Sequence, residues 1–244
     1  YQSLFVHIVL EHAKKVLDAE RDKVLPPSPL RLLLLGTAGT GKTHTVQTML
    51  QELQRILRDR SKPTEFVRIG APTGTAAFNI RFGATTVHRL IHWWNPPHFK
   101  ELQDQTALAR LQAHFEQTEL IVLDEISMIG RQMMGRINSR LSQAKDHHSL
   151  RPETLGGVSL VGVGDPAQCE AMFDQQLYDT TVASEKDGER TSFESVLLSN
   201  TGLGIYEEFD DVIILQKCHR LRLLSEATSQ KERESNERAE KFLN

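Results

Sequence analysis

The feature that most restricts the fold of this 244-residue chain is the segment Gly36-Thr-Ala-Gly-Thr-Gly41-Lys42-Thr43. It matches the pattern G-x-x-x-x-G-K-[ST], follows the apolar residues 31–35 and precedes a stretch with helical periodicity. Glycines in this context let the backbone wrap phosphate groups, so that successive N–H groups and the helix N-terminus face negative charge. The pattern predicts a strand, a phosphate-binding loop and a helix; the alternative is a glycine-rich turn that matches by chance.

Each position of the loop has a predicted role at a bound nucleotide. Lys42 is expected to reach the β- and γ-phosphates as a mobile cation, and the Thr43 hydroxyl is expected to ligate Mg²⁺. The predicted nucleotide contacts are Gly36, Thr37, Ala38, Gly39, Thr40, Gly41, Lys42, Thr43 and His44.

Further apolar segments predict the other strands, at residues 65–71, 120–123, 158–163 and 211–215. Helical periodicity covers residues 4–17, 43–60 and 130–144. Strands that alternate with helices predict an α/β fold, with a parallel β-sheet and helices on both faces. Residues 92–97 and 174–201 interrupt the pattern, and we expect both to be surface insertions.

Composition narrows the class of protein. With 39% hydrophobic and 25% charged residues, the chain has the composition of an ordinary globular protein rather than a collagen-like or disordered one. Its two cysteines cannot form a disulfide framework. The longest strongly apolar run, residues 32–35, is far below the roughly 18 to 20 residues of a membrane span, so no membrane partner is expected. The chain opens with Tyr1 rather than Met, which predicts a fragment.

Charge is unevenly distributed along the chain. The net charge is -3, yet residues 31–100 carry ten Lys or Arg against three Asp or Glu. This segment, at +7, either forms a local phosphate-binding face or is a solvated helix surface.

A second motif, the acidic pair Asp124 and Glu125, follows the candidate strand at 120–123. Asp124 is expected at the carboxyl edge of the sheet, where it can hold Mg²⁺ through water. Glu125 can orient or deprotonate the attacking water. Two adjacent carboxylates near a metal favour hydrolysis over transfer to another acceptor, whereas the alternative is a solvated pair at a strand end.

A third segment, Gly164-Asp165-Pro166-Ala167-Gln168, also ends a candidate strand. Gln168 offers both a donor and an acceptor, so it can contact a γ-phosphate or water. Gly-Asp-Pro is also a common turn, so the segment by itself does not distinguish the two interpretations.

Five ordered segments resemble superfamily-one DNA helicases, and within them the Pif-type (petite integration frequency) branch, including Helitron-like forms. They are residues 36–43, 71–80, 83–88, 124–128 and 164–168. The resemblance implies a RecA-like P-loop NTPase fold and an ATP-dependent DNA helicase that uses Mg²⁺. It further implies 5′ to 3′ movement on single-stranded DNA, duplex junctions as partners, and a role in DNA repair, recombination or telomere maintenance. The implied location is intracellular, with the nucleus ranked before the mitochondrion.

The same resemblance implies a set of DNA-contacting residues. Small residues and hydroxyls there would let the backbone approach phosphates closely. The carried-over positions are Pro72, Thr73, Gly74, Thr75, Thr86 and His88. The alternatives are a helix N-cap at Thr73 and a packed histidine at position 88.

Domain organisation also follows from the resemblance. Residues 1–215 correspond to the first RecA-like domain, with 92–115 as a small inserted wedge, and residues 216–244 to the truncated start of a second. Arg220 is the candidate finger that reaches the γ-phosphate, and Gln2 is a candidate adenine-reading glutamine. Trp93 and Trp94 fall in the wedge, where each either stacks on a base or anchors the insertion to the core.

Two further functions stay open at this point. One is an ATP-gated nucleic-acid-binding module that does not translocate, and the other is a P-loop ATPase that acts on protein partners. The +7 segment and residues 72–88 favour DNA over protein.

Overall fold

The apolar segments of the sequence form one parallel sheet in the computed structural model, which describes residues 1–58, 65–94, 99–145, 153–184 and 192–218. Its strand order is β3-β2-β4-β5-β1-β6, and every neighbouring pair is parallel. The strands are β1 (Arg31–Gly36), β2 (Val67–Ala71), β3 (Thr85–Thr86), β4 (Leu120–Leu123), β5 (Ser159–Gly164) and β6 (Asp211–Leu215). The short β3 was not predicted, because two residues carry no detectable alternation.

Helices cover both faces of this sheet, which confirms the predicted α/β class. In the described ranges they are α1 (Gln2–Asp22), α2 (Lys42–Ile56), α3 (Gly74–Ile80), α4 (Val87–Leu90), α5 (Gln105–Phe115), α6 (Arg131–Lys145) and α7 (Phe193–Glu207). None of the helices in these ranges has the length and apolar character needed to cross a bilayer.

Two apolar layers sandwich the sheet. Leu32 and Leu34 of β1 point into one layer with residues of α1 and α2, whereas Leu33 points into the other with residues of α5 and α6. Successive side chains of a strand face opposite sides, so a strand buried on both faces is apolar at every position. This is why the strand segments read as continuous apolar runs.

Helix α7 corrects the prediction that residues 174–201 form a surface insertion. It packs along α6 through small residues: a Cβ at Gly135 would overlap the backbone of Leu198, and one at Gly202 would overlap the carbonyl of Arg131. The sequence did not predict this helix because α7 is buried by close approach of its backbone to α6. It therefore lacks the broad apolar stripe by which a buried helix is usually identified.

The first part of the same segment is held by a fully buried arginine. The Arg131 guanidinium donates to the carbonyl oxygens of Ser199 (3.1 Å), Asp179 (3.2 Å) and Thr181 (2.6 Å), and to the side chain of Asn200 (3.1 Å). These bonds satisfy the buried charge-bearing group with neutral acceptors, and they tie residues 179–181 to α6 and α7.

The other predicted insertion, residues 92–97, is also corrected in part. His92 is half-buried and Trp93 is buried, while residues 95–98 lie outside the described ranges. Helix α5 follows, with Leu111 and Phe115 fully buried against the layer that contains α6. The division of the chain at residue 215 and the wedge at 92–115 stay predictions.

Candidate functional site

The loop after β1 has the backbone shape that its glycines predict. Gly41 has φ +89° and caps the N-terminus of α2, in a region of φ that favours glycine. At Gly36, a Cβ would lie 2.6 Å from the Thr40 hydroxyl and 2.8 Å from the backbone oxygen of Leu215. A side chain at Gly36 would therefore overlap the loop and the end of β6, and one at Gly41 would require a strained φ.

Lys42 lies folded over this loop. Its Nζ donates to the backbone oxygen of Gly36 and, at 3.2 Å, to that of Thr37. Thr43 and His44 are exposed, and the first turn of α2 contains no acidic residue to oppose the positive end of the helix. The acceptors of Lys42 are neutral, so an anionic phosphate would be a stronger partner for the same ammonium group.

The carboxylates after β4 form the second part of the site. Asp124 is buried, and its burial, together with the negative charge of Glu125, raises its pKa to about 6 against smaller opposing effects of a hydrogen bond from the Glu125 backbone and of the Lys42 charge. Glu125 has φ +48°, a conformation that non-glycine residues rarely adopt, and it precedes a short 3₁₀ turn at Ile126–Met128. The chain thus places an electrostatically unfavourable carboxylate pair at the sheet edge. Such pairs are typical of sites that bind a cation or transfer a proton.

These groups fit the predicted Mg²⁺. Thr43 and Asp124 offer hard oxygen ligands, and Mg²⁺ is usually held by one or two carboxylates, waters and substrate phosphates. A cation at this edge would also relieve the raised pKa of Asp124, because it neutralises the charge that burial and Glu125 penalise. When bound, the ion would supply charge stabilisation for the reacting phosphate.

The segment after β5 forms a turn that presents Gln168. The buried Asp165 accepts from the backbone N–H of Ala167 through its side chain and from that of Gln168 through its carbonyl, both at 3.1 Å. Gln168 is exposed at the same edge of the sheet as the phosphate loop. The turn interpretation is therefore correct, and the role of Gln168 at a phosphate stays a prediction.

The chain returns to the phosphate loop after β6. The Sγ of Cys218 lies 3.5 Å from the backbone oxygen of Ala38, and the carbonyl of Leu215 faces Gly36. Residues that follow β6 thus start beside the loop. The candidate finger Arg220 lies outside the described residues.

Gln2 also contacts the phosphate loop. Its Nε2 donates to the backbone oxygen of Thr40 at 3.1 Å and lies over Gly41. A cleft of about 350 Å³ opens here between the start of α1 and the end of β6, lined by Tyr1, Gln2, Ser3, Thr40, Leu215, Gln216 and Lys217. Helix α1 therefore brings the candidate glutamine to the loop, a placement that depends on α1 packing against α2.

Three of the predicted DNA-contacting residues, Pro72, Thr73 and His88, line a second cleft of about 400 Å³. We call it the Thr73–Phe173 cleft. Its other walls include Trp93 and Arg136. The cleft joins residues that follow β2 to the N-terminal half of α6 and to the loop after β5.

The remaining predicted DNA contacts surround this cleft. The Thr73 hydroxyl accepts from the N–H of Ala76 and so caps α3, while Gly74 and Thr75 are exposed in the first turn of that helix. The Thr86 hydroxyl caps α4 by accepting from the N–H of Arg89 at 3.4 Å. Capping and contact with a phosphate are compatible, because the exposed first turn keeps its remaining N–H groups free for an anion.

Trp93 and Trp94 have different surroundings. Trp93 is only 7% exposed, stacks on His88 with ring centroids 4.8 Å apart, meets the edge of Phe99 and lies beneath the Arg136 guanidinium. Trp94 is 67% exposed. The anchoring interpretation therefore applies to Trp93, whereas the side chain of Trp94 is open to solvent.

His88 is a packed histidine, as the alternative interpretation of the sequence had it. Burial and the charge of Arg136 lower the pKa of His88, which keeps its ring neutral near pH 7. It still borders the Thr73–Phe173 cleft, where a neutral imidazole offers one donor and one acceptor.

Sequence reasoning missed Arg136 and the loop around Phe173. Arg136 belongs to a predicted helix but had no motif to single it out, and its position beside Trp93 is a tertiary contact. Phe173 lies between the segment 164–168 and the predicted insertion at 174–201, where no motif singled it out. Its neighbours Met172 and Asp174 line the same cleft.

Comparison with known proteins agrees with the fold and the motifs. A family model described as an AAA domain matches residues 27–174, more than half of the chain. The chain is 28% identical over 162 residues to the ATP-dependent DNA helicase RRM3 of Saccharomyces cerevisiae, covering 62% of this chain and 20% of that protein. It is 31% identical over 140 residues to the ATP-dependent DNA helicase Pif1 of a Psychrobacter species, covering 55% and 19%. The chain thus spans about a fifth of the length of these relatives.

Solved structures show the same architecture. The crystal structure of Pif1 helicase from Candida albicans superposes with a TM-score of 0.59 at 20% identity, covering 90% of this chain and 40% of that one. This likeness confirms the predicted RecA-like fold. The chain therefore belongs to the AAA domain family, and within it resembles the first RecA-like domain of Pif1-type superfamily-one helicases.

Proposed function

We propose that the chain is the nucleotide-hydrolysing and strand-gripping lobe of an ATP-dependent DNA helicase. One observation carries this proposal: a single short turn connects the two candidate sites. The 3₁₀ turn Ile126–Met128 directly follows Asp124 and Glu125. Its last residue, Met128, and the next two, Ile129 and Gly130, form part of the wall of the Thr73–Phe173 cleft. Only Ile126 and Ser127 therefore separate the carboxylate pair from the wall of the cleft.

In the proposed hydrolysis, the chain's own residues bind and orient ATP. The phosphate loop and Lys42 hold the phosphates, Thr43 and Asp124 hold Mg²⁺, and Glu125 accepts a proton from the attacking water. Gln168 contacts the γ-phosphate from the end of β5, and Arg220 completes the site as a finger. Gln2 is proposed to contact the adenine from the cleft beside Thr40.

The proposed cycle couples this chemistry to movement on single-stranded DNA. ATP binding closes two lobes, hydrolysis reopens them, and alternating grip on the DNA backbone produces steps in the 5′ to 3′ direction up to a duplex junction. DNA repair, recombination or telomere maintenance is the proposed context. Such work takes place inside the cell, and we rank the nucleus before the mitochondrion.

The first test measures ATP hydrolysis by the chain with and without single-stranded DNA. We expect stimulation by DNA and loss of turnover in both Lys42→Ala and Glu125→Gln. General-base catalysis commonly contributes about 10²- to 10⁴-fold, which sets the expected loss for Glu125→Gln. That variant should still bind ATP, whereas Lys42→Ala should bind it weakly. Lys14→Ala, which removes an exposed lysine of α1, is the matched control.

The second test measures coupling between the sites. Single-stranded DNA affinity is compared with and without Mg²⁺ and a non-hydrolysable ATP analogue, and nucleotide affinity with and without DNA. The two ratios must be equal, and a typical coupling of about 5- to 150-fold is expected. Turnover that ignores DNA, with a ratio of one, would refute the proposal and favour an ATPase that acts on protein partners. Coupled binding without unwinding of a forked duplex would favour the ATP-gated binding module.

A further inference from the structure

The loop after β5 holds a phenylalanine in an unusual exposed position. The side chain of Phe173 is 98% exposed and that of Met172 is 74% exposed, at the lip of the Thr73–Phe173 cleft. Phe173 also has φ +60°, which is a strained conformation for a bulky residue. Strain of this kind persists only where the surrounding structure over-determines it, and such positions are concentrated at binding sites.

The surrounding structure does over-determine this loop. Both side-chain oxygens of Asp174 accept from α6, from the N–H groups of Gln132 and Met133, each at 3.1 Å. The side chain of Gln176 closes the loop on Ala171, accepting from its N–H at 3.1 Å and donating to its carbonyl at 3.3 Å. These bonds fix the backbone at the base of the loop while its apolar tip stays in solvent, so less backbone ordering is needed when a ligand binds the aromatic ring.

Another part of the cleft wall carries the guanidinium group of Arg136. The buried Nε of Arg136 has no hydrogen-bond partner among the described residues, and one of its terminal nitrogens donates to Gln132 at 3.1 Å. The guanidinium lies 4.9 Å from the centre of the Trp93 ring, which fixes its plane. The Nε is shielded from solvent, so an anionic oxygen in the cleft would meet the terminal nitrogens of the guanidinium, and charge-assisted hydrogen bonds of this kind are stronger than neutral ones.

The cleft contains an aromatic ring, a cation and a hydroxyl group, at Phe173, Arg136 and Thr73. Together these groups match the chemistry of one nucleotide. Bases stack on exposed aromatic rings, and phosphates accept from arginine and hydroxyl groups. An apolar peptide would cover Met172 and Phe173 but would offer no anionic acceptor to the Arg136 guanidinium. The cleft volume of about 400 Å³ also falls within the range of about 300 to 1,000 Å³ typical of small-ligand sites.

We propose that the Thr73–Phe173 cleft holds one nucleotide of single-stranded DNA, with its base stacked on the Phe173 ring and its phosphate bound by Arg136. This inference rests on the proposed function, because it assumes that the chain binds single-stranded DNA. It adds two residues that the motifs do not include, and it assigns them different parts of the nucleotide.

The test compares two oligomers of equal length, oligo-dT and its fully abasic sugar–phosphate counterpart, by fluorescence anisotropy on the 244-residue chain. Phe173→Ala should weaken oligo-dT binding about 5-fold or more and leave abasic binding unchanged. Phe173→Trp should restore oligo-dT binding. Phe193→Ala is the matched control, because Phe193 is an exposed phenylalanine that is not among the residues lining the cleft.

Arg136→Gln should weaken binding of both oligomers. It should also reduce the slope of log K against log salt by about 0.7, the value for one single-strand phosphate contact. Because Arg136 packs on Trp93, urea unfolding is used to check that the Arg136→Gln variant is folded. Phe173→Ala is not expected to unfold the chain, since the Phe173 side chain is in solvent.

The outcomes separate this inference from the proposed function. If the unsubstituted chain binds oligo-dT but Phe173→Ala behaves like Phe193→Ala, the inference is wrong and the proposed function stands. An equal loss on both oligomers for Phe173→Ala would also overturn it, because a base contact cannot act on DNA without bases. Failure of the unsubstituted chain to bind either oligomer would defeat both.

Discussion

Asp124 should reduce the stability of the folded chain whenever it is ionised, and Asp124→Asn should remove that cost. The carboxyl is 8% exposed, faces Glu125 and has its pKa raised to about 6. An amide of the same shape carries no charge, so the substitution deletes the unfavourable ionisation while keeping the packing. We therefore expect a more stable protein that has lost its Mg²⁺ ligand and its ATP turnover.

The size and pH window follow from the pKa. An unfolded aspartate has a pKa of about 3.9, so between about pH 4 and pH 6 the folded chain binds more protons at Asp124 than the unfolded chain. Stability then falls as pH rises through this window. A shift of about two units corresponds to about 3 kcal/mol, fully expressed above about pH 7. Asp124→Asn should match the parent near pH 4 and exceed its free energy of unfolding by up to about 3 kcal/mol at pH 7.5.

The assay is urea unfolding of both proteins at several pH values, with a chelator present to remove divalent cations. Other carboxylates titrate equally in the two proteins, so only the difference between them is interpreted. Glu125→Gln serves as an internal check, because removing the neighbouring charge should move the window to lower pH. A difference that stays constant from pH 4.5 to 7.5, or a parent that is the more stable protein at pH 7.5, would refute the reasoning.

Two further predictions concern packing. Trp93→Ala should lower the free energy of unfolding by about 3 to 5 kcal/mol, as for other buried aromatics. Trp94→Ala should change it by less than about 0.5 kcal/mol, because that side chain is exposed. Equal denaturant midpoints for the two variants would contradict the anchoring role of Trp93. Gly202→Ala should destabilise by about 1 to 3 kcal/mol, because its methyl group would overlap the α6 backbone. Gly204→Ala, on the same helix with open space around it, should raise the melting temperature, and similar behaviour of the two variants would disprove the close approach of α6 and α7.

Much of the fold could be predicted because its signals are local. The phosphate loop, β1 and α2 are consecutive in the chain, and each is specified by its own residues: glycines where φ is positive, leucines where both faces are buried. The positions of Asp124 and Gln168 followed from one topological rule, since all parallel strands end at the same edge. Where motif and topology agreed, the structure agreed as well.

The predictions that failed involve contacts between distant segments. Helix α7 buries Ser199 and Gly202 against α6, so its sequence shows glycine and serine where the helical pattern would require large apolar residues. Trp93 and Trp94 are adjacent and chemically identical, and only the packing of His88 and Phe99 distinguishes the buried ring from the exposed one.

By itself, the sequence determined the chemistry of the nucleotide site: a loop shaped by glycines, a lysine, and carboxylates at strand ends. Tertiary structure alone decided the electrostatics and the second site. Burial beside Glu125 raises the pKa of Asp124, and the meeting of α6 with the loop after β5 places Arg136 and Phe173 in the walls of one cleft. The physical reason is that backbone conformation and strand order follow from neighbouring residues, whereas burial and the pairing of charges depend on segments that are close only after folding.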